Sequence, residues 1–408
     1  MNNNVINKSK LKIASDFIYN IVGLVLMNGI LQLLINPMLN KWMGTDAFGN
    51  YQSLLAVVAI IGTTFGVAAN YSRLVKHREG KDSNGDYNIF LMMVSLLCIP
   101  VAIITLIVYR SFSPLSLFLL VLLAVFTILR YYGEVNFRLS LNYKGVFFYY
   151  CCISIGYCIG LILYRFTKRW EITILIGEIA AFIYVYIVGN IYKIKTISRS
   201  NYFSGNLKSF SLLSFTNFIS AIAQNSDRII LQIIAGGSSV TVFYISTLLG
   251  KVVSLLTTPI NGVMIGYLMK YNGKITKKMY SAFIAGIFSL GVVTTFICYL
   301  GSVIFVKLFY SDVYNSARDY FFLANAGQIF YFISNCAMTM LLRIADEKYQ
   351  VYMNLIYIAI FFILVIPLTF YNGLTGLTYG ILGANIFRFL LISVLGFFKT
   401  ISANKERA

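Results

Sequence analysis

Five charged residues lie inside long apolar stretches of the chain: Glu178, Asp227, Arg228, Lys251 and Arg388. At the centre of a membrane helix each charge costs about 2.5–3.5 kcal/mol, so such residues usually face a polar cavity or a partner. Three cations against two anions leave one positive charge, the sign that complements an anionic ligand. We therefore predict that Lys251, Arg388 and Arg228 contact an anionic substrate, with Asp227 in the same polar cavity.

The composition around these charges is that of a membrane protein. Of the 408 residues, 59% are hydrophobic and 12% are charged, whereas a soluble domain has about 45–50% apolar and about 25% charged residues. Spanning a bilayer takes about 20 apolar residues, and twelve stretches of roughly that length or longer use most of the chain, which excludes a separate soluble catalytic domain. The predicted spans are 17–38, 50–71, 88–109, 114–133, 146–164, 172–191, 210–234, 239–268, 280–308, 320–342, 349–371 and 376–398.

The distribution of Lys and Arg predicts how the spans are oriented. Of the 33 Lys and Arg residues, 23 fall in the loops and termini on the N-terminal side and seven on the opposite side. Because Lys and Arg concentrate in cytoplasmic loops, both termini are predicted to be cytoplasmic. Arg130 and Arg138 are interpreted as anchors of this kind at the cytoplasmic end of the fourth span. The net charge of +19 thus orients the chain in the membrane, and no nucleic-acid partner is predicted.

The spans are predicted to form two halves of six. A basic polar stretch at 192–209 separates the sixth and seventh spans, which gives an N-terminal six-helix bundle with its linker at 1–209 and a C-terminal six-helix bundle at 210–408. A glycine and a tyrosine seven residues apart recur at an offset of 193 residues: Gly44 with Tyr51, and Gly237 with Tyr244. Parallel repeats of this kind occur in many secondary transporters.

Three local motifs resemble those of polysaccharide flippases of the MOP superfamily. The connection Gly44-Thr-Asp-Ala-Phe-Gly-Asn-Tyr51 is similar to a G-x-x-x-[FY]-G-x-[YF] turn after the first span of that family. The stretch Asn225-Ser-Asp-Arg-Ile-Ile-Leu231, followed by Gly-Gly, Tyr244 and Leu248, resembles its seventh and eighth spans. The segment 376–384 looks like the entry to its last helix. With the length and topology, the resemblance is greatest to the Wzx-like flippases of O-antigen or capsule repeat units.

The resemblance implies both a fold and a function. The implied fold is an all-α membrane protein with twelve transmembrane helices in two six-helix bundles, a V-shaped MOP-type transporter with a central cavity. The implied function is alternating-access translocation of undecaprenyl-pyrophosphate-linked oligosaccharide repeat units from the cytoplasmic to the periplasmic leaflet of the bacterial inner membrane. The implied partners are this lipid-linked substrate, the membrane lipids and other polysaccharide-assembly membrane proteins. The intramembrane cations would hold the pyrophosphate.

Two further interpretations of the charged residues remain open at this stage. The cations could instead be paired structurally, Asp227 with Lys251 on the adjacent helix, and Glu178 either with Arg388 or with no partner. No cofactor or metal is predicted, but a coupling ion, H⁺ or Na⁺, is compatible with the sequence, and Asp227 or Glu178 would then be the titrating group.

Amide side chains inside the spans provide a second set of candidates. Gln32, Gln224 and Asn225 are favoured for the cavity, because the repeat offset relates the first of them to the other two within about one position. Amides and aromatic faces are the groups that bind sugars. The remaining amides, among them Asn335 and Asn354, are interpreted as hydrogen-bonding groups between helices, worth about 0.6 kcal/mol on average.

Two other functions compete with flipping. A MATE-type multidrug exporter coupled to a cation needs buried carboxylates for a cationic drug, and the net positive sign of the intramembrane charges disfavours it. A membrane enzyme, such as a repeat-unit polymerase, is disfavoured because the outer loops are short. The sequence also has no P-loop, no metal-ligand spacing and no nucleophile–base pair. The single histidine, His77, lies in a charged loop.

Overall fold

The computed structural model describes residues 18–192, 197–255, 275–345 and 348–405, together with single positions between 257 and 273. Every regular element in this part of the chain is a helix. The long helices are Ile18–Met43 (α1), Thr45–Arg78 (α2), Asn84–Val108 (α3), Pro114–Leu139 (α4), Tyr143–Thr167 (α5), Trp170–Val188 (α6), 203–235 (α7), 237–255 (α8), Lys277–Phe309 (α9), Phe321–Leu341 (α10), 348–372 (α11) and 374–405 (α12). The part of the predicted eighth span beyond residue 255 lies largely outside the described residues.

Nine helices among the described residues are long and apolar enough to cross a membrane. Two of the nine, Phe203–Ser254 and Lys348–Thr400, contain a single glycine with non-helical backbone, Gly236 or Gly373, and each is therefore two helices joined at that glycine. Helix α10, with 21 residues, is not one of the nine. The chain is thus a multi-pass, all-α membrane protein, and the count of twelve spans stays a prediction.

The connection after α1 is one residue long. Gly44 has φ 83° and ψ 163°, and Gly236, between α7 and α8, has φ 79° and ψ 176°. Only glycine adopts this region without strain. The residues after each glycine, predicted from their polarity to be a connecting turn, are instead the first turns of α2 and α8. The equivalent glycines are therefore Gly44 and Gly236, 192 residues apart, and Gly237 was the wrong partner.

The helices also extend beyond the predicted spans. Helix α1 ends at Met43 rather than at residue 38, and α2 covers Thr45–Arg78 rather than 50–71. The apolar run marks only the part that a bilayer would cover. The backbone hydrogen bonds of a helix continue into polar residues, so hydropathy alone underestimates helix length.

The described helices form two compact units. Unit 1 comprises Met1–Gly44 and Ser53–Ile229, and unit 2 comprises Thr45–Gln52 and Ile230–Ala408. The first two turns of α2 thus belong to unit 2, and most of α7 belongs to unit 1. The predicted division into six-helix halves after residue 209 stays a prediction.

In unit 1, glycines allow α5 and α6 to approach closely. A Cβ atom at Gly160 would lie 2.3 Å from the carbonyl oxygen of Thr173, and one at Gly156 would lie 2.6 Å from the Cα of Gly177. These glycines form the Gly-x-x-x-Gly pattern that lets membrane helices pack backbone against backbone.

A buried carboxylate fixes the start of α7 within unit 1. Asp86, at the start of α3, is fully buried and accepts hydrogen bonds from the Ser200 amide (2.8 Å), the Ser200 hydroxyl (2.6 Å) and Asn206 Nδ2 (2.8 Å). Next to it the ring of Phe90 stacks on that of Phe210 at 5.3 Å between centroids. The end of the linker and the first turns of α7 are therefore held to α3.

In unit 2, the start of α8 packs on the start of α2. A Cβ atom at Gly49 would lie 1.8 Å from the carbonyl oxygen of Gly237. The hydroxyl of Thr241 donates to the carbonyl of Thr45 at 2.6 Å. This close crossing requires glycine on both helices.

Helices α9, α10 and α12 share the apolar core of unit 2. The buried side chains of this core include Cys298, Ile329, Ile333, Ala337, Leu341, Phe389 and Ile392.

Candidate functional site

Arg388 is a buried cation inside unit 2. It lies 15 residues after Gly373 on α12, which is about 22 Å along the helix at 1.5 Å per residue. The residue is 4% exposed. Its Nη1 donates to Ser334 Oγ at 3.2 Å, and its Nη2 donates to Asn335 Oδ1 at 2.9 Å and to Asn354 Oδ1 at 3.3 Å. These hydrogen bonds join α12 to α10 and α11.

Two tyrosine rings lie beside this guanidinium. The Arg388 Cζ is 4.9 Å from the ring centroid of Tyr331 and 4.8 Å from that of Tyr357. The two centroids are 6.1 Å apart, so the rings form a corner around the guanidinium rather than covering both of its faces. Both distances are within the range of cation–π attraction.

Arg388 has no carboxylate partner among the residues that the structure describes. Its Nε is buried and has no hydrogen-bond acceptor there. The positive charge is therefore compensated by neutral oxygens and aromatic faces alone. A buried charge without a counter-ion is costly, so a bound anion at this position would lower the energy of Arg388.

A second buried arginine, Arg130 on α4, is neutralised within unit 1. Its Nε lies 2.6 Å from Glu178 Oε2 on α6, and Tyr157 on α5 donates to Glu178 Oε1 at 3.0 Å. The N–H is not aimed at the oxygen, so the contact is ionic rather than a linear hydrogen bond. Arg130 and Glu178 are 9% and 2% exposed. The interpretation of Arg130 as a cytoplasmic anchor was therefore wrong, and Glu178 is paired with Arg130 rather than with Arg388.

The error with Arg130 has a simple origin. A charge near one end of an apolar run was counted as lying outside it, whereas α4 continues to Leu139. Opposite charges inside two spans of the same half are the signal that would have identified the pair.

Asp227, Arg228 and Asn225 form a local cluster on α7, within unit 1. The Arg228 Nη2 donates to Asn225 Oδ1 at 2.6 Å, and its Nε is 3.8 Å from Asp227 Oδ1. The hydroxyl of Ser53 donates to the Arg228 carbonyl at 3.2 Å. Asp227 is 4% exposed and Arg228 is half-buried. The predicted site residues of this segment thus contact each other, and one ion pair of Asp227 is with its neighbour Arg228. The alternative pairing of Asp227 with Lys251 stays a prediction.

The other predicted residues are more dispersed. Lys251 on α8, half-buried in unit 2, has its Nζ 5.5 Å from the ring centroid of Phe243. Gln32 lies in a π-helical segment of α1, Leu31–Ile35, and its Oε1 accepts from Asn36 Nδ2 at 3.2 Å. Single-turn π-helices are frequent at functional sites. Gln224 is exposed on α7.

Sequence reasoning missed Tyr331, Tyr357 and Ser334 as neighbours of Arg388. A signal was present in the sequence, in the form of two amide–aromatic pairs. One pair is Tyr331 and Asn335, four residues apart, and the other is Asn354 and Tyr357, three residues apart. Residues at these spacings share one face of a helix. That the two faces meet at Arg388 depends on how α10, α11 and α12 pack.

Comparison with known proteins identifies solved structures of similar fold. No protein-family model and no curated protein matches the chain. A solved structure of the lipid II flippase MurJ, in an inward closed conformation, matches with a TM-score of 0.72 and 15% identity, over 96% of this chain and 90% of that chain. An inward-facing multidrug resistance MATE family transporter of the MOP superfamily matches with a TM-score of 0.67 and 15% identity, over 94% and 96%. A MATE transporter of Vibrio cholerae matches with a TM-score of 0.59 and 13% identity, over 97% and 98%. The predicted fold class is confirmed to this extent: the chain is all-α, and its fold is similar to that of MOP-type transporters. The twelve spans and their division into two six-helix bundles stay predictions.

Proposed function

We propose that the protein is a flippase that moves undecaprenyl-pyrophosphate-linked oligosaccharide repeat units across the bacterial inner membrane by alternating access. The repeat units would serve O-antigen or capsule biosynthesis, in contact with other polysaccharide-assembly proteins. The proposal is supported by the fold, which is similar to that of a lipid flippase and of multidrug transporters. These similar structures are named as transporters and a flippase, which also favours transport over an enzymatic reaction.

The state of Arg388 is the observation that carries the proposal. Of the two buried arginines discussed above, Arg130 has a carboxylate within 2.6 Å, whereas Arg388 has only neutral partners in the part of the chain that the structure describes. A cation kept inside a membrane protein without a counter-ion favours an anionic substrate over a cationic one. Lys251, in the same unit, is a second cation inside an apolar helix.

A MATE-type exporter of cationic drugs is the rival. Such an exporter needs carboxylates that can exchange a cation for the drug. The two predicted intramembrane carboxylates, Glu178 and Asp227, both lie beside arginines in the structure. Pairing of this kind lowers the attraction of each carboxylate for a cationic drug. A coupling ion, H⁺ or Na⁺, at either group remains part of the proposal.

The decisive experiment uses a bacterial strain that carries this gene with its surface-polysaccharide locus. The gene is deleted, and leaflet-selective labelling of intact and broken cells locates the undecaprenyl-linked repeat units. We expect accumulation in the cytoplasmic leaflet together with loss of the surface polymer. Repeat units that reach the periplasm without being lengthened would indicate a polymerase. Unchanged surface sugar with increased drug sensitivity would establish the multidrug exporter.

Complementation of the deleted strain then tests the cations. We expect Lys251→Ala and Arg388→Ala each to abolish or sharply reduce transport while membrane insertion remains normal, because both remove a positive charge that meets the anionic substrate. A variant of an exposed arginine, Arg318→Gln, serves as the control, since its side chain is 60% exposed. Normal transport in both cation variants would contradict the assignment of an anionic substrate to unit 2.

A further inference from the structure

The hydrogen-bonding state of Arg388 limits the kind of anion that it can bind. A guanidinium has five N–H bonds, and its two fork-shaped edges both include Nη2. In Arg388, Nη2 already donates to two amide oxygens, those of Asn335 and Asn354. One hydrogen of Nη1 is used by Ser334, which leaves the Nε hydrogen and one Nη1 hydrogen without an acceptor among the described residues. An incoming anion can therefore accept from single N–H groups of Arg388 but not from a bidentate pair of them.

This arrangement does not match a diphosphate. Arginine recognises phosphate most strongly through two parallel N–H···O bonds, and both edges that could supply them are occupied. A pyrophosphate diester also carries two negative charges, whereas Arg388 supplies one positive charge. A single carboxylate matches both the monodentate geometry and the charge.

Neutral groups beside Arg388 match a sugar. The Tyr331 hydroxyl and the Asn354 Nδ2 form no hydrogen bond with any residue that the structure describes, and both residues are half-buried. The Tyr331 ring offers an apolar surface of the kind on which the C–H face of a pyranose packs. A tyrosine that carries a hydroxyl donor and an aromatic surface, and an asparagine that carries an amide donor, thus both lie against the Arg388 guanidinium.

We propose that Arg388, Tyr331 and Asn354 form a subsite for an acidic sugar, a pyranose with one carboxylate such as a uronic acid, within the transported repeat unit. The proposal rests on the proposed flippase function and specifies its substrate. The carboxylate accepts from the Arg388 guanidinium, the sugar hydroxyls accept from Tyr331 and Asn354, and the ring packs on Tyr331. The diphosphate then binds elsewhere, and Lys251 is the remaining predicted cation of unit 2 for it.

The test measures ligand binding to the purified full-length protein by isothermal titration calorimetry. The probes are galacturonate, glucuronate, the neutral methyl ester of galacturonic acid, galactose and inorganic pyrophosphate. We expect one of the uronates to bind about 10- to 100-fold more tightly than the neutral sugars, the range that one charged hydrogen bond provides. Arg388→Gln should remove this preference, so that uronates and galactose bind equally weakly. Pyrophosphate binding should not depend on Arg388.

Further variants separate loss of the subsite from loss of the fold. Arg388→Lys keeps the charge and should retain part of the uronate preference. Asn354→Ala and Tyr331→Phe keep Arg388 and should weaken uronate and galactose alike. Equal binding of uronates and neutral sugars to the wild-type protein would overturn the proposal, as would pyrophosphate binding that is lost in Arg388→Gln.

Failure of this subsite and failure of the flippase function have different signatures. If the subsite is wrong but flipping is right, deletion of the gene still traps repeat units in the cytoplasmic leaflet while uronates show no preference. If flipping is wrong, deletion does not trap repeat units in the cytoplasmic leaflet whatever the purified protein binds, and the substrate assignment is overturned with it.

Discussion

Removing one member of the Arg130–Glu178 pair is expected to destabilise unit 1, whereas removing both is expected to be tolerated. The pair is buried on both sides, and its charged atoms are 2.6 Å apart. In Glu178→Leu, Arg130 would become a buried cation without a counter-ion. In the double variant Arg130→Met with Glu178→Leu, apolar side chains of similar length replace both charges.

The magnitude follows from the separation of the charges. At 2.6 Å and an effective dielectric constant of about 20, two unit charges attract each other by about 6 kcal/mol. The desolvation of both groups offsets most of this attraction, so a well-packed apolar pair is about as stable as the ion pair. Deleting one partner removes the attraction while the desolvation of the other remains, which typically costs about 3–5 kcal/mol.

A double-mutant cycle on the purified protein measures this coupling. Thermal unfolding in detergent is compared for the wild type, both single variants and the double variant, and transport is measured by complementation. The matched control is the pair Arg318–Asp319, 3.4 Å apart, whose side chains are 60% and 75% exposed. Exposed pairs contribute about 0–1 kcal/mol, so the control variants should unfold at the wild-type temperature.

Two results would refute this reasoning. A double variant as unstable as the single variants would mean that packing, and not charge compensation, determines the loss. A stable Glu178→Gln protein that no longer transports would mean that Glu178 exchanges a coupling ion.

Three further predictions concern other parts of the molecule. Asp86→Ala removes the acceptor of three hydrogen bonds that hold the end of the linker to α3. We expect the free energy of unfolding to fall by about 1.5–3 kcal/mol or more and tryptic cleavage at Arg199 to be faster in limited proteolysis. Cleavage at the wild-type rate would contradict this role of Asp86. Gly49→Leu places a side chain against the Gly237 carbonyl and should reduce the yield of monodisperse protein. Gly286→Ala is the control and should leave the yield unchanged, because no atom lies within 4 Å of the new Cβ. Equal yields would argue against the close crossing of α2 and α8. Single cysteines introduced at both termini of a cysteine-free variant should react with a membrane-impermeant reagent only after the cells are broken, and labelling in intact cells would contradict the predicted orientation.

The fold class was predictable because hydrophobicity is a local property. In a bilayer the backbone must satisfy its own hydrogen bonds, so a long apolar stretch in this chain has only the helix available. The sequence also shows the glycines between consecutive helices, Gly44 and the consecutive pair Gly236 and Gly237. It does not show their backbone conformation. Only the φ and ψ angles show that Gly236, and not Gly237, has the backbone conformation of Gly44.

The candidate site was predictable in part: the sequence identifies the buried charges but not the residues that contact them. The sequence by itself determined that Arg388 and Glu178 are charges inside apolar helices, because the apolar residues on both sides of each charge can be read along the chain. It could not determine their partners, since ion pairs and aromatic contacts form between residues that are distant in sequence. Only the packing of α4 against α6 gives Glu178 its arginine, and only the packing of α10, α11 and α12 leaves Arg388 with two tyrosines and no carboxylate among the described residues.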